Sequence, residues 1–286
     1  MIMAIQWPLL IFSVLLGVSS GAMIFAGIGE IKGRFKNVRF ILGVVAFAAV
    51  AVGGCASAFH LGHPERALHI LGNMGSAFSR ELFAVGAMAV VSLVYAVLAK
   101  KSFEGAAKVF GIIGAVVGVV LPLVAGATYV MAARPVWDTF LLPVMFLGTG
   151  VGMGFLLACA LVFMKGDEDD KRFALTLALA GVVVMAVAMV LYVAWIAMAP
   201  HADESRSIMR LVAGDLALAF WLGVVVVGIV APIAVVVLVR KKLAANGAAD
   251  SAAGMLWAAF ACAIAGNVAL RVIMYLVATS VEQFIY

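Results

Sequence analysis

The sequence has few charged side chains and no long polar segment, which argues against a soluble fold. Of its 286 residues, 12% are Asp, Glu, Lys or Arg and 66% are hydrophobic, and the mean hydropathy is +1.22. A soluble domain of this length does not need so much apolar surface, so the composition predicts a polytopic membrane protein. The connections between apolar runs are short, which leaves no room for a separate soluble catalytic domain.

Potential metal ligands are also scarce. Cys55, Cys159 and Cys262 lie in three different apolar runs, whereas iron–sulfur clusters need clustered thiolates and zinc needs several convergent ligands. Of the four histidines, His60 alone borders an apolar run. Membrane haem is usually held by two histidines within spans, so we expect neither haem nor another metal centre in this chain.

Eight apolar runs are each long enough to cross about 30 Å of hydrocarbon as a helix. Alternating patterns suited to a barrel are absent. We therefore predict an all-α integral membrane bundle that forms one membrane domain over residues 1–286. Residues 1–7 contain no Lys or Arg, so a signal peptide is not predicted and the first span is expected to be retained. The predicted spans are 8–28, 38–60, 80–99, 106–131, 138–164, 173–198, 211–239 and 253–279.

Lys and Arg residues are distributed unevenly between the two ends of the predicted bundle. Thirteen of the nineteen follow the first, third, fifth and seventh spans, and five lie on the opposite side. The positive-inside rule therefore predicts that the odd-numbered connections are cytoplasmic and that both termini face outward. This orientation accounts for the net charge of +5, so no nucleic-acid partner is predicted.

Ionisable residues within or beside the spans collect at the predicted outer end. His60 ends the second span, Glu81 begins the third, Asp138 begins the fifth and Asp215 lies about one turn into the seventh. Arg271 lies roughly 12 Å of helix below the outer end of the eighth. The inner halves are expected to carry no comparable group. Because charge in hydrocarbon is costly, such residues usually face the bundle interior and pair; we expect His60 and Glu81 to handle protons there.

Simpler roles are open for several of these residues. The acids can complement helix N-termini, with Ser79 as the N-cap ahead of Glu81, and Arg271 can snorkel to the interface. Trp137 and Tyr192 fall near outer boundaries, where an aromatic belt is the favoured interpretation, although either ring could also stack on a ligand.

Small residues spaced four apart predict close approach between helices. Such pairs are expected in a glycine-rich membrane protein and carry no functional signal. The pairs are Gly17 with Gly21, Gly114 with Gly118, and Gly148 with Gly152.

The connection after the second span carries a motif that resembles a known family. Residues 60–67 read His-Leu-Gly-His-Pro-Glu-Arg-Ala, and Ser76, Ser79 and Glu81 follow. This resembles the membrane-anchor subunit of dimethyl sulfoxide reductase and its relatives among molybdenum oxidoreductase complexes. In that family an apolar span ends His-Leu-Gly-x-Pro-x-Arg-Ala, and Ser-x-x-Ser-x-Glu comes next.

Three further segments are similar to the same family. Residues 7–12 match its opening Trp-Pro-Leu-x-Ile-Phe, and residues 135–137 match its central Pro-x-Trp. Near the end, Gly266, Arg271 and Tyr275 match Gly-x-x-x-x-Arg-x-x-x-Tyr. Asn267 stands where the family often has Glu, which removes one potential proton acceptor.

The resemblance implies a quinol-oxidising membrane anchor in a bacterial cytoplasmic membrane. Such subunits bind menaquinol and pass electrons to an iron–sulfur subunit, which feeds a molybdopterin subunit in anaerobic respiration; the iron–sulfur clusters and molybdopterin then belong to the partners. The family pattern implies His60 as the acceptor for one quinol hydroxyl and Glu81 as a proton relay. The full set predicted to bind quinol is His60, Arg66, Ser79, Arg80, Trp137, Asn267 and Arg271.

Two other functions stay open at this point. A small-solute transporter would be expected to carry polar residues or broken helices near the membrane midplane, whereas the midplane here is almost wholly apolar. A purely structural anchor with a degenerate quinol site is the second, and the departure at Asn267 keeps it open.

Overall fold

The computed structural model describes residues 5–59, 73, 75–198, 202–246 and 252–278. Eight helices in these ranges are long and apolar enough to cross a membrane, which confirms the predicted all-α, eight-span bundle. The side that each terminus faces stays a prediction. The described ranges contain nine α-helices, which are α1 (Trp7–Lys32), α2 (Arg39–Ala58), α3 (Ala77–Lys100), α4 (Glu104–Ala127), α5 (Leu141–Lys165), α6 (Glu168–Met198), α7 (Ala202–Val212), α8 (Ala231–Asn246) and α9 (Ala252–Val277). Of these, α7 is not a span and α8 is the second part of the seventh span.

Two predicted boundary regions differ from the structure. The fourth span ends at Ala127 and the fifth begins at Leu141, because a 3-10 turn at Pro135–Trp137 lies between them. The predicted seventh span is preceded by the separate helix α7, which has 11 residues, four of them charged, and is too short and polar to cross a membrane. The span itself starts with a π-helical segment, Ala219–Val230, that continues into α8. Asp215 therefore lies exposed in a turn and not inside the span.

Helices α1 and α5 form the centre of the bundle. In their most apolar stretches 78% and 89% of residues are buried, against 22–50% for the other spans. A methyl group added at Gly21 of α1 would overlap the carbonyl oxygen of Gly150 and approach Gly154 of α5. The predicted close approach at Gly17 and Gly21 is thus confirmed, and α1 also packs against α2 and α4.

A buried charged cluster joins α1, α2, α3 and α4 at the predicted cytoplasmic end. Glu30 accepts hydrogen bonds from the Tyr95 hydroxyl at 2.9 Å and from Arg39 at 2.7 Å. Arg39 also donates to Glu104 at 2.8 Å. Glu30 is 3% exposed, so the expectation that the inner halves carry no ionisable group is wrong. The carboxylate is tolerated because a guanidinium and a phenol satisfy it.

Candidate functional site

A cavity of about 270 Å³ lies at the end of the bundle where α1 and α3 begin and α4 and α9 end. This end, called the cavity end below, is the one predicted to face outward. The cavity wall is largely apolar and aromatic, and Glu81 is its one ionisable carboxyl among the described residues. The wall consists of Gln6, Leu9, Phe78, Glu81, Thr128, Tyr129, Met131, Trp137 and Tyr275.

Glu81 is the fifth residue of α3, and its side chain is half-buried. No hydrogen bond or ion pair involves its carboxyl within the described ranges. The helix begins earlier than predicted: Ser76, with extended backbone, holds the N-cap position. The predicted N-cap at Ser79 is therefore wrong, and the Ser79 hydroxyl instead donates to the Asn73 carbonyl at 2.6 Å. Glu81 is left as a carboxyl that can exchange a proton with a ligand in the cavity.

Three aromatic rings form one wall of the cavity. Tyr129, Trp137 and Tyr275 pack edge to face, with ring centroids 5.6, 5.7 and 6.4 Å apart. The two tyrosine hydroxyls lie 3.3 Å apart. Burial raises the pKa of the Tyr129 phenol well above its ordinary value, and Tyr275 and Glu81 act in the same direction. Tyr129 is therefore a neutral group that can donate a hydrogen bond.

The aromatic-belt interpretation is wrong for Trp137 and Tyr192. Trp137 is 1% exposed and donates from Nε1 to the Met274 carbonyl at 3.0 Å. Tyr192 is buried too, and its hydroxyl donates to the Val136 carbonyl at 3.0 Å. The 3-10 turn folds residues 135–137 inward against α6 and α9, which removes the indole from the membrane interface.

Side chains from other elements hold the C-terminal end of α9. Its last carbonyls lack partners within the helix, and four donors reach them, two of which are arginines that also suit the negative end of the helix dipole. Arg210 additionally pairs with Asp215, and this hydrogen bond lowers the pKa of the Asp215 carboxyl. Tyr275 is fixed on the cavity wall as a result. The donors are Trp137 to Met274, Arg210 to Leu276, Ser207 to Val277 and Arg134 to Ala278.

A line of polar side chains runs from the cavity into the bundle along α9. Asn267, Arg271 and Tyr275 are four residues apart and therefore share one helix face. Arg271 is 1% exposed, with its guanidinium carbon 3.4 Å from the ring centroid of Phe146 and Nη2 3.4 Å from the Thr149 hydroxyl. The interpretation that Arg271 snorkels to the membrane interface is thus wrong. Its Nε and Nη1, and both amide atoms of Asn267, have no partner within the described ranges. Orphan buried polar atoms of this kind usually bind water or a ligand.

The predicted quinol-binding residues are only partly brought together. Glu81 and Trp137 share the cavity wall, and Asn267 and Arg271 lie in the bundle interior on the α9 face that carries Tyr275. Arg80 is exposed. The remaining predictions, His60 and Arg66, lie outside the described residues, as do the other positions of 60–72.

Both tyrosines of the wall, Tyr129 and Tyr275, are missing from the predicted set. The spacing of Asn267, Arg271 and Tyr275 is a signal that could have placed Tyr275 on the same face as the two predicted residues. Tyr129 lies just after α4, and no local pattern shows that its ring points into the bundle. Asp138, predicted to border the site, is exposed and is absent from the cavity wall.

Comparison with known proteins identifies a relative and a family. Anaerobic dimethyl sulfoxide reductase chain YnfH of Escherichia coli (strain K12) is 30% identical over 167 residues, which cover 55% of this chain and 57% of that protein. The chain thus spans a little over half the length of this relative. The profile of the family described as polysulphide reductase, NrfD, matches residues 1–281. The resemblance to the dimethyl sulfoxide reductase anchors is confirmed, and the chain belongs to the NrfD polysulphide reductase family.

Proposed function

We propose that this chain is the quinol-oxidising membrane subunit of a dimethyl sulfoxide reductase-like molybdoenzyme. The observation that carries the proposal is the cavity at one membrane boundary. It combines Glu81, a carboxyl with no hydrogen-bond or ion-pair partner among the described residues, with the aromatic wall of Tyr129, Trp137 and Tyr275. An apolar pocket with a few convergent polar groups is the usual form of a small-molecule site.

The size and chemistry of the cavity suit a quinol headgroup. Its volume of about 270 Å³ lies near the lower end of the usual range for ligand pockets, about 300 Å³, and fits a single ring system better than a large ligand. Aromatic faces and edges bind a planar ring, and the apolar helices around the cavity favour an isoprenoid tail. Menaquinol is the quinol that the family resemblance implies.

Oxidation of a quinol releases two electrons and two protons, so the site must contain proton acceptors. Glu81 accepts a proton from one hydroxyl, as a general base within reach of the ring. His60, which the family pattern implies, is the proposed acceptor for the other. The tyrosine hydroxyls of Tyr129 and Tyr275 orient the quinol oxygens, and the buried cation Arg271 stabilises negative charge as the hydroxyls deprotonate.

The electrons leave for a partner subunit. Electron transfer weakens steeply with distance, so an iron–sulfur subunit is proposed to dock at the cavity end and to feed a molybdopterin subunit. The dimethyl sulfoxide reductase relative, the NrfD family and the eight apolar spans support this assignment. As the family resemblance implies, the complex is proposed to work in the bacterial cytoplasmic membrane during anaerobic respiration.

The decisive variant is Glu81→Gln, which keeps the shape of the side chain but removes the proton acceptor. We expect quinol-driven turnover of the purified complex to fall about 100-fold or more, the usual contribution of a general base. Turnover with a soluble reductant that donates directly to the partner subunits should be unchanged. Asp138→Asn, which removes an exposed acid at the same end of the bundle, is the matched control and should leave both activities unchanged.

The turnover assay and the purification itself separate the alternative functions. A purely structural anchor predicts equal activity in wild type and Glu81→Gln with either reductant. A transporter predicts that the chain purifies in mild detergent without any iron–sulfur or molybdenum-containing partner. Either outcome would contradict the proposal.

A further inference from the structure

A second groove, of about 230 Å³, lies between α6 and α8 at the end of the bundle opposite the cavity. It is built from two helices that are far apart in sequence. Helix α6 contributes Arg172, Leu175 and Thr176, and α8 contributes Arg240, Leu243 and Ala244. Leu175 and Leu243 are buried and form an apolar floor, while the two arginines are exposed.

The groove carries positive charge that no described residue compensates. No carboxylate lines it, and neither Arg172 nor Arg240 forms an ion pair with any residue that the structure describes. Asp169, one turn before Arg172, is exposed and does not line the groove. The remaining acids at the start of α6 are engaged elsewhere: Glu168 with Lys171 at 2.7 Å, and Asp170 with Arg34 at 3.5 Å and with the Phe35 amide at 3.0 Å.

An apolar stripe continues from the groove along α6. Val183, Val187 and Val190 follow Thr176 at helical spacing on the same face, and they are 45%, 51% and 58% exposed. In a membrane-spanning helix, exposed valines of this kind face the lipid chains. The groove therefore combines, at the membrane boundary, two guanidinium groups that have no ion-pair partner among the described residues with an apolar surface below them. The Thr176 hydroxyl donates to the Arg172 carbonyl at 3.1 Å, so its proton is not offered to a ligand.

We infer that this groove binds the phosphate of an anionic phospholipid, with its acyl chains along the valine stripe of α6. Guanidinium groups bind phosphate oxygens in a bidentate fork, and basic pockets between spans at a membrane surface are suited to anionic headgroups. The stripe distinguishes a lipid from free phosphate, because an inorganic ion would gain nothing from it. This site lies at the opposite end from the cavity and is independent of the quinol proposal.

Binding is tested by titrating phosphatidylglycerol into the purified full-length chain in neutral detergent and counting bound lipids by native mass spectrometry. The test variant is Arg172→Gln with Arg240→Gln, and the matched control is Lys100→Gln with Lys101→Gln, which removes the same charge from the end of α3. A basic residue at a membrane surface changes affinity for anionic lipid about fivefold, so the test variant should bind about 25-fold more weakly. The control should bind like wild type.

Three outcomes would overturn the inference. One is equal weakening by the control, which would show that net charge and not the groove holds the lipid. Another is equal binding of phosphatidylcholine, which has no net charge. The third is displacement of phosphatidylglycerol by inorganic phosphate at similar concentration, which would assign the groove to a free ion. Equal melting temperatures of the three proteins would show that the substitutions leave the fold intact.

Discussion

Arg271 holds a guanidinium group inside the bundle, and no carboxylate among the described residues balances it. Its contacts are the Phe146 ring face and the Thr149 hydroxyl. Placing an unpaired charge inside a membrane protein opposes folding, and a cation–π contact offsets part of this penalty. A residue that folding does not favour is commonly retained for function. Arg271 lies about one helical turn from the wall residue Tyr275, on the same face of α9.

We predict that Arg271→Met lowers activity but does not lower stability. Methionine fills a similar volume without a charge, so the melting temperature in detergent should be equal or higher. Quinol-driven turnover should fall at least about tenfold, because stabilisation of the developing negative charge is lost.

The control is Lys108→Met, which removes an exposed cation near the start of α4, at the end opposite the cavity, and should change neither quantity. Full turnover in Arg271→Met would remove this residue from the mechanism. A large fall in melting temperature with unchanged turnover would assign it to packing alone.

At the scale of the helices, the contact between α1 and α5 determines the shape of the core. Backbone atoms of Gly21 and Gly150 meet so closely that any side chain at Gly21 must push the helices apart. Small residues at such crossings provide the close packing that stabilises helix association in lipid.

We predict that Gly21→Ala destabilises the protein by about 1–3 kcal/mol, the usual range for overpacking a core. The measurement is the midpoint of thermal or denaturant unfolding in detergent. The control is Gly86→Ala on α3, where an added methyl group meets nothing within 4 Å. That substitution should be neutral or slightly stabilising, since Ala favours helix by about 1 kcal/mol over Gly. Equal unfolding midpoints for the two variants would show that the α1–α5 contact does not limit the stability of the protein.

Hydropathy predicted the eight spans because lipid requires long apolar helices. Hydropathy did not predict the ends of those helices whose boundaries depend on local turns and caps. The apolar residues of 211–218 continue the hydropathy of the seventh span, yet the backbone turns there before the π-helical segment at Ala219–Val230. Helix α3 starts earlier than hydropathy indicates, because Ser76 provides an extended N-cap position in a polar stretch.

The sequence could predict those residues of the candidate site whose role is visible in the local sequence. Glu81 stands out because it is a carboxyl at the edge of an apolar span. Tyr129 and Trp137 look like interfacial aromatics in sequence, and only the packing of the turn at Pro135–Trp137 shows that they face inward. Glu30 was missed because its partners Arg39 and Tyr95 lie on two other helices, and sequence spacing cannot show such tertiary pairs.

For the whole molecule, the orientation in the membrane decides what the two ends can do. The connections after the first, third, fifth and seventh spans carry thirteen of the nineteen Lys and Arg residues. The positive-inside rule therefore predicts that the groove of Arg172 and Arg240 faces the cytoplasm and that the cavity faces outward. A quinol oxidised in the cavity would then release its protons outward, and the partner subunits would dock from outside.

We predict that thiol labelling will show this orientation. The bacterial cells used for the assay express a chain with Cys55 and Cys262 replaced by Ala. A cysteine at Asp138, exposed at the cavity end, should react with a membrane-impermeant maleimide in spheroplasts. A cysteine at Lys101, exposed at the opposite end, should react only after permeabilisation. The chain that carries only these two Cys-to-Ala replacements is the control for background labelling, because its one remaining cysteine, Cys159, is buried. The reverse pattern would place the cavity and its partner subunits in the cytoplasm, and quinol oxidation would then release no protons outside.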